Sequence, residues 1–129
     1  MVDVFNDSFE RCIAQSGFFD CFYQSFMASS PIIAQHFIHT DFKRQKRLLK
    51  SALLLLMMHY LKIEKNPSLI QLAILHDRHH RNITPELYDQ WLNCLLDTVK
   101  QCDPLYDETV EAAWRMILLP GIMVFKQYY

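Results

Sequence analysis

Backbone breakers are scarce in this 129-residue chain, which has two glycines and five prolines, and that scarcity limits its fold more than any other feature. Pro31, Pro67, Pro85, Pro104 and Pro120 divide it into stretches rich in Leu, Phe and Met, residues that suit helices better than turn-rich sheets. Hydrophobic residues make up 51%, enough for one core but little for two, so the expectation is a single all-α domain over residues 1–129.

Local signals set the element boundaries. Val4, Phe5, Phe9, Cys12 and Ile13 fall near a helical period, predicting a short amphipathic helix over about 3–15 that serves as a lid and not as a core element. An aromatic helix over 18–28 must close before Pro31, because proline disfavours helical geometry in the residue preceding it. Pro31 itself suits the first position of a short third helix. Thr40 or Asp41 can cap a long helix running to about 63, basic early and apolar late. Residues 64–68 read as a loop, and the next helix, from about Ser68, closes near 81–82. Thr84 caps a helix opened by Pro85 and Glu86 that reaches Gln101. The last helix, from about Tyr106, carries Val110, Ala113, Trp114, Ile117 and Leu118 on one face and should kink at Pro120.

A formal net charge of −1 leaves no overall basic field to draw in nucleic acid or an anionic membrane. The apolar run 52–58, bracketed by Lys50 and Lys62, falls well short of the roughly 20 residues that span a bilayer. Cys12, Cys21, Cys94 and Cys102 form no CxxC pair and follow no secretory leader, so buried, inert thiols in a reducing cytoplasm are expected.

Three groups of residues can carry chemistry. Leu69, Leu72, Ala73 and His76 share one helical face ahead of a loop, where an imidazole at the rim of an apolar stripe can ligate a metal held against it. An ordinary core or surface histidine would look the same, and His79 and His80 lie close by. Gln45 precedes Leu49 by one turn, with Lys43, Arg44, Lys46 and Arg47 around them, offering a ligand both a hydrogen bond and a wall, or simply edging a solvated basic face. Phe19, Phe22, Tyr23 and Phe26 share a broad face in which Tyr23 adds a hydroxyl that needs a partner when buried. Phe37, after the Pro31 turn, can lie flat against a planar ligand or serve as plain core.

In this order, from Phe18 to Phe125, the residues resemble the globin family, and within it bacterial single-domain globins and the haem domain of flavohaemoglobins. The stretch from Ser30-Pro31 to Phe37 resembles the proline turn and haem-stacking phenylalanine, Phe22-Tyr23 the tyrosine of the second helix, and Gln45 to Leu49 the distal helix. Leu72-Ala73-Ile74-Leu75-His76 is similar to the stretch ending in the proximal histidine, and Pro85-Glu86-Leu87-Tyr88 to the opening of the following helix. The chain departs from the family in a longer interval from His76 to Pro85, a short first helix, a compressed turn between Phe37 and Gln45, and the lack of any acid from Arg115 to Phe125.

The resemblance implies haem b with iron on His76, whose other ring nitrogen donates to a backbone carbonyl or to Tyr88. His79 or His80 would be the substitute ligand. Phe37, Leu49, Leu72, Leu75, Tyr88, Trp91 and Leu95 would surround the macrocycle, while Tyr23, Gln45 and Leu49 face a diatomic gas such as oxygen, nitric oxide or carbon monoxide. Reversible oxygen binding with slow release would follow. Nitric oxide detoxification would require an external reductase, and the competing expectation is a haem-free sensor or interaction module.

Overall fold

Three helix starts, those capped by Ser30, Asp41 and Asp107, lie where a side chain satisfies backbone donors that a first turn leaves unpaired. The computed structural model describes residues 1–62 and 67–129, which form seven helices and no strand. These are α1 (Val2–Ile13), α2 (Phe18–Ala28), α3 (Pro31–His36), α4 (Phe42–Leu61), α5 (Pro67–Leu75), α6 (Pro85–Cys102) and α7 (Glu108–Gln127). The Ser30 hydroxyl accepts from the Ile32 amide at 3.2 Å, with Pro31 opening α3. Of the two candidate caps for α4 it is Asp41 that acts, accepting from the Lys43 and Arg44 amides at 3.1 and 3.3 Å. Each such cap contributes on the order of 0.5–2 kcal/mol. Thr84 precedes α6 without a capping bond from its side chain, so the fixed φ of Pro85 carries that start.

Several boundaries differ from the sequence expectation. Pro67, not Ser68, is the first residue of α5, and the helix stops at Leu75 instead of near 81. A turn organised by Asp77 ends it: the carboxylate accepts from the His79 amide at 2.9 Å, and the Asp77 carbonyl accepts from the Asn82 amide at 2.8 Å. Asn82, at φ 53°, supplies the left-handed residue that the turn requires. The last helix begins at Glu108, because Asp107 caps the Val110 amide at 2.8 Å. It then runs unbroken through Pro120, with Ile117, Leu118, Gly121 and Ile122 buried around the proline. The expected end of the fourth helix at 63 and most of the 64–68 loop lie outside the described residues.

At the centre, α7 packs on α1, α4, α5 and α6, while α2 lies against α6 and α3. Gly121 permits the α4–α7 approach, since a Cβ there would overlap Leu56 Cδ2. The reading of the first helix as a lid is wrong. Phe5, Ser8, Phe9 and Cys12 of α1 are buried, and Phe5 meets Trp114 edge-on at 4.7 Å between ring centroids. A polar anchor fixes α1 as well: Asp103 accepts from Ser8 Oγ at 2.6 Å and from Arg11 Nε and Nη2 at 2.6 and 2.9 Å. Trp114 Nε1 donates to Ser8 Oγ at 2.9 Å, closing the network. A 12-residue helix whose hydrophobic face alone read as peripheral is thus tied to the far end of the chain.

All four cysteines are free thiols, with Cys12 and Cys94 buried and Cys21 and Cys102 partly exposed. Burial pushes the Cys12 thiol up to about 12, which keeps it protonated and unreactive near neutral pH. No helix among the described residues is long and apolar enough to cross a membrane.

Candidate functional site

A cavity of about 470 Å³ opens among α2, α3, α4, α5, α6 and α7, within the roughly 300–1,000 Å³ range typical of cofactor pockets. Tyr23, Phe37, Gln45, Leu49, Leu72, Leu75, His76, Tyr88 and Trp91 all border it. Leu95 does not. One turn beyond Trp91 on α6, it is fully buried in the core behind the cavity. His79 and His80 are exposed in the turn after α5, away from the cavity, and His80 is tied through Nδ1 to Asp77 at 2.7 Å.

His76 is the first residue past α5, and its Nδ1 lies 2.7 Å from the Leu72 carbonyl oxygen. A carbonyl only accepts, so Nδ1 carries the proton and Nε2 keeps a lone pair. Burial, assisted by the electrostatic effect of Arg81 and His36 nearby, lowers the imidazole below its ordinary pKa against the opposing pull of the Leu72 bond, favouring the neutral, ligating form. Phe125 of α7 meets the His76 ring edge-on, with centroids 5.5 Å apart and planes at 87°. That aromatic contact stands where a buttressing acid would otherwise be sought in the last helix. Of the two proposed acceptors for His76, it is the Leu72 carbonyl that serves. Tyr88, only 9% exposed, packs on Phe125 at 5.3 Å, and burial raises its phenol.

Tyr23 and Gln45 meet across the α2–α4 crossing. Gln45 Nε2 donates to Tyr23 Oη at 3.2 Å, while the phenol's own proton reaches only the Gln45 carbonyl, at 3.4 Å. Burial drives the Tyr23 phenol up to about 12, against a smaller opposing effect of the Gln45 bond, so the hydroxyl keeps its proton. Rings hold it in place: Phe37 and Phe42 each pack against Tyr23 at 5.5 Å, edge to face. No hydrogen bond among the described residues joins this pair to His76.

Sequence reasoning missed other walls. Leu48, Ile122 and Phe125 border the cavity, and so do His36, Arg44 and Arg81. Leu48 and Ile122 are legible in hindsight from their three-residue spacing to Gln45 and Phe125, whereas His36, Arg44 and Arg81 had no local signal separating them from solvated polar residues. Among the described residues no acid borders the cavity.

The donor set fits a flat iron macrocycle. A partly buried imidazole with a free nitrogen, mostly apolar walls, a protonated phenol and carboxamide at another part of the wall, and arginines suited to acid side groups are what such a cofactor requires. Fold and site together define an all-helical cradle whose lining fits such a group. A search of solved structures finds a protein from Pseudomonas aeruginosa PAO1, described as structurally highly homologous to a human hemoglobin, at 41% sequence identity and a TM-score of 0.94. The match covers 98% of this chain and 96% of that one, and the chain belongs to the globin family. No protein-family model and no curated protein matches it. Membership in that family implies, at a coarse level, haem-based binding of diatomic gases.

Proposed function

We propose that the protein holds haem b through His76 and binds oxygen or another diatomic gas reversibly beside Tyr23 and Gln45. The observation that carries this reading is the gathering, in one cavity, of the His76 imidazole with its Nδ1 engaged and a separate phenol–carboxamide pair. Haem, when bound, supplies an iron whose sixth position takes up the gas.

The chain's own residues do the rest. The Leu72 carbonyl fixes the His76 tautomer and aims Nε2 as the ligating atom. Phe37, Leu49, Leu72, Leu75, Tyr88 and Trp91 present apolar surface to the macrocycle and keep water from its faces. Leu95 backs the Trp91 wall from the core without touching the cofactor. Gln45 accounts for one lone pair of the Tyr23 hydroxyl, leaving its weakly held proton to turn toward a ligand that gathers negative charge. With an external reductase the same pair suits nitric oxide consumption, in which one nitric oxide, one oxygen and one electron give one nitrate ion.

Haemin titration into the purified protein, with ferric, ferrous and carbon monoxide spectra, tests the proposal. The native chain should take up one haemin and show a histidine-ligated ferrous spectrum, and His76→Ala should lose it. A protein that stays colourless in excess haemin would overturn the reading and leave the haem-free module. A His76→Ala protein with an unchanged histidine-type spectrum would move the ligand to another histidine, His36 at the cavity before the exposed His79 or His80.

A further inference from the structure

Positive charge is locally concentrated in this molecule although its total nearly cancels. The first turns of α4 carry Lys43, Arg44, Lys46, Arg47 and Lys50, and no acid occurs anywhere in that helix. Lys46 is paired with Asp20 at 3.0 Å, while Lys43, Arg44, Arg47 and Lys50 have no ion-pair partner among the described residues. Acids bound the row at Asp41, which caps α4, at Asp20 against Lys46 and at Glu10, which shares a groove with Lys50, and others lie on α6 and α7 together with Lys100, Arg115 and Lys126. Spacings of four and three residues put Lys43, Arg47 and Lys50 on one exposed row of α4. The adjoining row, Arg44, Leu48 and Ser51, borders the cavity, where Arg44 is joined by His36 and Arg81.

We infer that this cationic row is the docking surface for an acidic one-electron carrier protein, which delivers its electron at the edge of the cavity. The inference rests on the haem reading above. In the step, the reduced carrier loses one electron and ferric iron gains it, with no bond made or broken. Charge complementarity selects the partner's sign, and the position of the row beside the cavity selects its trade. Transient electron-transfer encounters form at small interfaces, below about 1,200 Å² in total, so a few helical turns provide enough surface. A long polyanion is disfavoured by comparison, since the patch is short and is bounded by Asp41, Asp20 and Glu10. Steering by such a surface raises association rates by roughly 10- to 1,000-fold at low ionic strength.

The test uses the haem-loaded protein with reduced flavodoxin, a small acidic flavin carrier, as probe and a neutral quinol as control reductant. Stopped-flow reduction of the ferric protein is compared with that of the triple variant Lys43→Glu, Arg47→Glu, Lys50→Glu, none of whose positions borders the haem cavity. At about 10 mM ionic strength the variant should react with flavodoxin at least tenfold more slowly, and near 0.5 M the two rates should converge as screening shortens the reach of the charges. Quinol should reduce both alike. Independently of electron transfer, oxidised flavodoxin should shift backbone amide resonances over 43–50. Equal flavodoxin rates at low ionic strength, amide shifts confined to α6 and α7, or a matching loss with quinol would each overturn the inference, as would tighter binding of the row to phosphatidylglycerol vesicles or RNA than to flavodoxin. Failure to take up haemin would instead defeat the pocket reading, and the amide shifts would still decide the surface.

Discussion

Replacing Tyr23 with phenylalanine isolates a single oxygen atom. Phenylalanine keeps the ring that packs edge-on against Phe37 and Phe42 at 5.5 Å, so the wall of the cavity should stand. The fold loses the Gln45 Nε2 bond at 3.2 Å, a net effect of about 0.5–1.5 kcal/mol. The consequence for ligand release is larger. A hydrogen bond to an acceptor bearing charge contributes on the order of 1.5–3 kcal/mol, which slows departure by roughly 10- to 150-fold. Little is subtracted for freeing the donor, because its only acceptor among the described residues is the Gln45 backbone carbonyl at 3.4 Å, beyond the usual range of an O–H···O bond. Oxygen displacement by carbon monoxide, followed by stopped flow, should therefore show Tyr23→Phe releasing oxygen at least about tenfold faster than the native chain. Carbon monoxide, which gathers less negative charge, should be affected less. An oxygen dissociation rate within twofold of native, in a variant that takes up haemin normally, would refute Tyr23 as the donor.

Other residues give independent tests. Gly121→Val would drive Leu56, which borders the cavity, out of place; overpacking of about 1–3 kcal/mol should lower both the melting temperature and haemin uptake, and Leu56→Ala in the same chain should recover part of each. Burial by itself would raise the Asp103 carboxyl, but its bonds from Arg11 and Ser8 hold it below the ordinary 3.8. Because the folded value is depressed, its stabilisation is complete above the unfolded pKa and is lost as pH falls through the folded one. Acid unfolding curves of Asp103→Asn should accordingly be flatter below about pH 4 than those of the native chain, and superimposable curves would contradict this. Trp114→Phe should cost about 0.5–1.5 kcal/mol for the lost bond to Ser8, measured by urea unfolding, without altering the ferrous spectrum.

Much of the fold could be read locally. Ser30-Pro31, Asp41 and Pro85 mark helix starts because a cap or a fixed φ acts within one turn, and the apolar period of each segment shows which side must face inward. The aromatic helix was delimited at Phe18–Ala28 for the same reason. Tyr23, Gln45 and His76 could be singled out as polar atoms set in apolar faces, although sequence spacing alone left each of them an ordinary core alternative.

What only the tertiary structure decided depends on residues distant in sequence. The burial of α1 rests on Ser8 meeting Asp103, 95 positions away, and Trp114, 106 positions away, so no local period could show that the supposed lid is core. Leu95 belonged to the right face of its helix, yet the packing of α6 places it behind Trp91 and away from the cavity. The choice of the Leu72 carbonyl as partner of His76, the Phe125 ring against that imidazole, and the approach of His36, Arg44 and Arg81 to one opening likewise required the helices to be assembled. Backbone donors are satisfied by neighbours along the chain, so sequence can place helices. A cavity is the space left between their side chains, and its shape exists only once those helices have packed.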